Sequence, residues 1–139
     1  MNNQQANKKS LQIIHMSLAT LWIYQGLVPK ILFQANDEIQ IWRMQGFNPN
    51  TAMHLMQYSG VMEILFGCLF LCGYKSRLLH RLNILGMLGL SLLILGTYPQ
   101  YFMQAFNPFV MNVAMAALSL TALTLIKQRD SSSQMPRPH

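Results

Sequence analysis

Four long apolar runs limit what this chain can become. They cover residues 11–33, 52–74, 78–98 and 109–126. Each reaches the roughly 18 residues at which an apolar run reads as a membrane span. At about 1.5 Å per residue, each is about long enough for a hydrocarbon core of about 30 Å. A soluble four-helix bundle would need polar stripes at helical spacing. The stretches NILGMLGLSLLILGT and FVMNVAMAALSLTALTLI carry none. Composition agrees: 10% of residues are charged, against about 25% in an ordinary soluble domain.

The expected fold is therefore an all-α membrane protein, an antiparallel bundle of four transmembrane helices with short links. Residues 1–127 form one membrane domain. The remainder, 128–139, is polar and Pro-containing and is expected to be disordered. The net charge of +6 raises nucleic acid as a partner, but the placement of the charges excludes it. Lys8, Lys9, Lys75, Arg77, Arg81, Lys127, Arg129 and Arg137 flank one side of the spans, while only Lys30 and Arg43 fall on the other. Eight against two is a positive-inside pattern, so both termini are expected in the cytoplasm. The first apolar run lacks a small-x-small cleavage pattern and reads as a signal anchor.

The first outer loop contains NDEIQIWRMQGF. Asn36, Asp37 and Glu38 are helix-start residues and Gly46 is a stop. A short helix is expected here, with Ile39, Trp42 and Phe47 in the membrane interface. Asn48-Pro49 and Asn107-Pro108 precede the second and fourth spans, where Asn caps a helix and Pro takes its first position. Pro29 and Pro99 should bend or end the first and third spans. Gly86, Gly89 and Gly96 give the third span a small-residue face suited to close helix contact, and Asn112, Ala116 and Ser119 do the same for the fourth.

Polar residues inside the spans are the candidates for function. Glu63 sits at the middle of the second run, in YSGVMEILFG. A charge there costs on the order of 2.5–3.5 kcal/mol, so it needs a partner or a cavity. Lys30 is the candidate partner. Helical side chains lean toward their own N-terminus, so in antiparallel spans Lys30 and Glu63 lean toward each other. Their Cα atoms differ in depth by roughly 12 Å, a gap the two side chains could nearly close, directly or through water. Snorkelling of Lys30 to the headgroups is the alternative. His15, Ala19, Trp22, Gly26 and Lys30 share one face of the first span, and Ser59, Gly60, Glu63 and Gly67 share one face of the second. Asn112 adds a hydrogen-bond donor from the fourth. Cys68 and Cys72 lie four apart on one helix, pointing away from Glu63, and read as packing residues. His15, His54, His80 and His139 look too scattered for a metal site, with His80 placed in the loop before the third span.

The segments LWIYQGLVPKILF, SGVMEILFGCLFLCGY and NPFVMNVAMAAL together resemble the DoxX-like family of small bacterial four-span membrane proteins. Gly26 and Lys30 match a Gly-x-x-x-Lys pattern. Glu63 with Gly60 and Gly67 matches a Gly-rich acidic second span. Asn107, Pro108 and Asn112 match an Asn-Pro start of the last span. Many relatives carry Arg early in the first span, where this chain has His15. The resemblance implies a multi-pass protein of the bacterial inner (cytoplasmic) membrane, near redox chemistry. It implies a non-catalytic accessory or scaffold subunit with a redox-protein partner, in contact with the lipid bilayer. Two alternatives stay open: a quinone or other small molecule held between spans by Glu63, Lys30, Trp22, Gly26, Tyr58 and Asn112, or a small transporter. Self-association as a homo-oligomer also stays open.

Overall fold

A computed structural model describes residues 3–73, 76–104 and 107–134. Lys75, the Ala105-Phe106 part of the second Asn-Pro segment, and the tail from residue 135 onward, with Arg137 and His139, lie outside the described residues. Helix α1 (Asn3–Gly26) continues into a π-helical segment (Leu27–Leu32). The short helix α2 (Asn36–Met44) follows, then α3 (Pro49–Cys72), α4 (Arg77–Thr97), a 3-10 turn (Pro99–Met103) and α5 (Pro108–Gln134). Four segments are long and apolar enough to cross a membrane: Gln5–Leu32, Pro49–Cys72, Arg77–Thr97 and Pro108–Ser131.

Local chemistry sets the boundaries. Asn48 accepts a hydrogen bond from the Thr51 amide at 2.9 Å, and Asn107 accepts one from Val110 at 3.1 Å. Both Asn-Pro pairs therefore act as N-terminal caps. Ser76 caps α4 through the Leu79 amide. Pro29 does not end the first span, which continues to Leu32. It has no N–H to donate, and the helix passes it by widening to π geometry. The segment then closes with Phe33 donating to Val28 and Ala35 to Pro29, and Gln34 turns the chain at a positive φ of 47°.

Helix α1 packs along α3 and α5, and α4 pairs with α5. On α5 the buried positions are Asn112, Met115, Ser119, Ala122 and Ile126, a spacing of three and four that forms one helical stripe. Leu11, Leu18, Phe70, Met87 and Met115 fill the centre. The outward faces are also apolar: Leu65, Leu69, Leu85, Leu92, Val113 and Leu120 are about half exposed or more. Such a surface suits hydrocarbon, where backbone polar groups are satisfied within each helix.

Three expectations need correction. The glycines of α4 do not make a close contact, since a Cβ built on Gly86, Gly89 or Gly96 meets nothing within 4 Å. Close approach occurs instead between α1 and α3. A Cβ on Gly60 would lie 2.8 Å from the Gly26 carbonyl oxygen, and one on Gly67 would lie 3.0 Å from that of Ala19. Second, α5 does not stop near residue 127 but runs to Gln134. An ion pair from Arg77 to Asp130 and a hydrogen bond from Ser131 Oγ to the Lys127 carbonyl support the extension. Third, His80 belongs to the first turns of α4 rather than to a loop, and is fully buried.

Helix α2 is tied to the 3-10 turn by the Tyr101 hydroxyl, which donates to the Asp37 carbonyl at 3.1 Å. Burial, aided by the nearby Asp37 and Glu38 charges, pushes the Tyr101 pKa up to about 12.

Candidate functional site

The central feature is the ion pair between Lys30 and Glu63. Gly26 and Gly60 let the backbones of α1 and α3 meet, and one turn further along the two charges face each other across that contact. Lys30 Nζ donates to Glu63 Oε1 at 2.5 Å, and both residues are more than nine-tenths buried. Lys30 therefore points into the bundle and bonds Glu63 directly, without a bridging water. A second acid, unforeseen in the sequence, completes the group: Glu38 of α2 lies 3.6 Å from the same ammonium. With all three ionised, the trio carries one net negative charge. The second carboxylate oxygen, Glu63 Oε2, is buried and has no hydrogen-bond partner among the described residues.

Glu63 also lines a cleft of about 470 Å³ between α3 and α4. Trp22 and Tyr58 supply aromatic surface, and Met62, Phe66, Leu82 and Leu90 make the rest apolar. Gly86 of α4 lies on the opposite wall. The cleft is shallow and opens sideways between the helices. A separate cavity of about 720 Å³ lies between Tyr24, Ile41, Tyr101 and Met111, with Asp37 and Glu38 on its wall. Lys30 thus bridges two carboxylates that line different cavities.

The proposed residues fall into three groups. Lys30, Glu63 and Gly26 form the ion pair and the close contact beneath it. Trp22 and Tyr58 line the cleft, although Tyr58 is two-thirds exposed and has no bond to the charges. Asn112 is elsewhere: its Nδ2 donates to Ser91 Oγ at 3.1 Å, linking α5 to α4.

A second polar network was missed because its members are far apart in the chain. Trp22 Nε1 donates to Asn83 Oδ1 at 2.7 Å, and Asn83 Nδ2 donates to Ser119 Oγ at 2.8 Å. Ser119 Oγ lies 3.2 Å from His80 Nδ1, His80 Nε2 lies 3.0 Å from His15 Nε2, and His15 Nδ1 lies 3.0 Å from the Phe70 carbonyl. The carbonyl can only accept, so His15 Nδ1 carries a proton. With neutral rings, His80 Nε2 then donates to His15, and Ser119 donates to His80. One run of donors thus links α1, α4, α5 and α3. The histidines that looked scattered in the sequence are adjacent. Asn83, a polar residue within a span and three residues from His80, was the available signal.

Four apolar spans around a buried ion pair and a buried polar network define a small multi-pass helical membrane protein. The chain belongs to the DoxX-like family, whose model matches residues 19–120. The matched region contains Lys30, Glu63 and Asn112. No curated protein and no solved structure matches the chain.

Proposed function

We propose that this protein holds a lipid-soluble small molecule in the cleft beside Glu63, as a non-catalytic subunit of the bacterial inner membrane. The observation that carries this reading is the apolar cleft itself, on whose wall lies Glu63, a buried acid whose Oε2 has no hydrogen-bond partner among the described residues. An unpaired buried acceptor costs roughly 1–3 kcal/mol, and more when charged. A bound molecule with a hydrogen-bond donor would remove that cost. The apolar walls and two aromatic rings suit a molecule that enters from the bilayer. A quinone meets the requirement only in its reduced, hydroxyl-bearing form.

Gly86 supplies the test. It lines the cleft, and a side chain added there meets no neighbouring atom within 4 Å. Gly86→Leu should plug the cleft while leaving the ion pair and the bundle intact. The tagged wild type and the variant would be purified in parallel, and their lipid-soluble contents compared by mass spectrometry. A compound bound to wild type and lost from a folded Gly86→Leu protein supports the reading. Identical contents in both would sink it.

A second reading, an accessory or scaffold role toward a membrane redox partner or another copy of the chain, is favoured by the open face of α4. Gly89, Leu92 and Gly96 are exposed there, and small residues allow a partner helix to approach. Cross-linking from Leu92 would report such a neighbour.

A further inference from the structure

The larger cavity, of about 720 Å³, is separate from the cleft beside Glu63. Its size lies within the roughly 300–1,000 Å³ of small-molecule pockets, far more than a bare ion fills. Asp37 and Glu38 of α2 and Tyr101 of the 3-10 turn line it at the end of the bundle where α5 begins. From there its wall follows α5 through Val110 and Met111 to Ala114, roughly 9 Å past Pro108 at about 1.5 Å per residue. The cavity is therefore polar at one end and apolar at the other. Val110 and Ala114 are exposed, so it also opens sideways.

Charge at the polar end is unbalanced. The lining includes two acids and no Lys or Arg. Lys30, the partner of Glu38 at 3.6 Å, is bonded more closely to Glu63, at 2.5 Å. Asp37 is exposed and has no ion pair among the described residues. Both acids act on one atom of the lining, the buried Tyr101 hydroxyl, whose pKa is pushed up to about 12 by burial first and by the Asp37 and Glu38 charges in addition. Three kinds of ligand head can be compared. An anion is repelled by the two acids. A neutral head leaves their charge as it is. A cation offsets it, and the Tyr24 and Tyr101 rings add aromatic surface of the kind that favours a weakly hydrated cation.

We propose that this cavity is a second binding site, for an amphipathic cation of the alkyl quaternary ammonium type. The head lies beside Asp37 and Glu38, and the tail runs along Val110, Met111 and Ala114. The site goes beyond the cleft reading and does not depend on it.

Two diazirine probes with the same dodecyl chain, one ending in trimethylammonium and one in a hydroxyl, would be photolysed on the full chain in dodecyl maltoside micelles. Labelled peptides of α5 would be read by mass spectrometry. The cationic probe should label residues 110–114 roughly fivefold more than the alcohol, the upper end of what an exposed ion pair contributes. That preference should shrink at high salt. Asp37→Asn changes an exposed side chain and keeps the backbone carbonyl that Tyr101 bonds, so it should fold and lower the ratio. Adding Glu38→Gln should bring the two probes to parity. Ala114→Phe, also at an exposed position, should fill the apolar end and remove labelling by both probes. Gly86→Leu, in the other cleft, should leave it unchanged. Equal labelling of wild type by both probes, or a preference untouched by Asp37→Asn/Glu38→Gln, would overturn the cation assignment. Labelling unaltered in Ala114→Phe would overturn the cavity as the binding place. Labelling lost in Gly86→Leu would overturn it too, by placing the probes in the cleft.

Discussion

Lys30 serves two acids, so the Lys30–Glu63 pair should respond asymmetrically to mutation. Lys30→Met removes the cation that both carboxylates share, the only one paired with either among the described residues. Glu63, 8% exposed, is then left buried without a counter-charge. Breaking a buried pair in this way costs about 3–5 kcal/mol. Glu63→Gln is milder. The amide still offers Lys30 an acceptor, and Glu38 remains 3.6 Å away as a counter-ion. The loss is then that of a hydrogen bond to a charged group, about 1.5–3 kcal/mol. The double variant Lys30→Met/Glu63→Leu replaces the pair with apolar atoms of similar size and should return close to wild-type stability. Adding the single variant Glu63→Leu closes the cycle, whose coupling energy should be about 3 kcal/mol or more. Reversible unfolding of the five proteins in mixed micelles, followed by circular dichroism, measures each term. A Glu63→Gln protein less stable than Lys30→Met would refute the sharing of Lys30 with Glu38. Two single variants as stable as wild type would refute the pair as a structural contact at all.

Other consequences are smaller but equally testable. Gly26→Ala drives a methyl group into the Gly60 carbonyl and should cost about 1–3 kcal/mol by forcing α1 and α3 apart. Gly86→Ala meets no atom within 4 Å and should be neutral, or stabilise by up to about 1 kcal/mol through helix propensity. Thermal unfolding in detergent separates the two. Tyr101 should ionise only near pH 12. An ultraviolet titration of wild type and Tyr101→Phe would show a component at that pH vanish. The sign for stability follows. The unfolded hydroxyl ionises near pH 10 while the native one keeps its proton to about 12, so Tyr101's contribution to stability falls as pH rises through that window. Arg77→Ala breaks only an exposed pair with Asp130 and should change stability by less than about 1 kcal/mol.

The spans, the Asn-Pro caps and the short helix α2 were readable in the sequence because each depends on local chemistry. The Lys30–Glu63 pair was readable for a different reason. Side-chain direction on antiparallel helices limits which charges can meet, and the chain has few to choose from. Glu38 was not readable, because its approach to Lys30 depends on how the π-turn at Pro29 and the bend at Gln34 return α2 over the bundle. The His15–His80 contact was hidden similarly. Sixty-five residues separate the two, and their meeting follows from helix rotation that long apolar runs do not reveal. The glycines of α4 misled, since small residues permit close contact without requiring it. Past residue 127, α5 runs through a polar stretch in which Asp130 meets Arg77 of α4, a pairing that composition alone cannot show.

The position of the cleft follows from where α4 is held. His80 and Asn83, in its first two turns, bind α4 to α1 and α5 through His15, Trp22 and Ser119. Further along, α4 offers α3 only Gly86 and Leu90 across the cleft, and no hydrogen bond joins the two helices among the described residues there. A helix fastened to α1 in its first turns and to α5 as far as Ser91, but lined with small or apolar groups toward α3, can stand away from α3, and Glu63 lies on the wall exposed by that gap. The fastening and the cleft share Trp22, whose indole N–H bonds Asn83 while its ring lines the cleft. Asn83→Leu should therefore do more than destabilise the bundle by the roughly 1–3 kcal/mol of an unsatisfied buried donor. It should free Trp22 to change rotamer and so alter the floor of the cleft. Hydrogen exchange at the Trp22 indole, followed by NMR in a Trp42→Phe background, reads this directly. Faster exchange together with altered ligand occupancy supports the coupling. An indole as protected as in wild type would show that α4 is held by other contacts, and that the cleft owes its shape to something else.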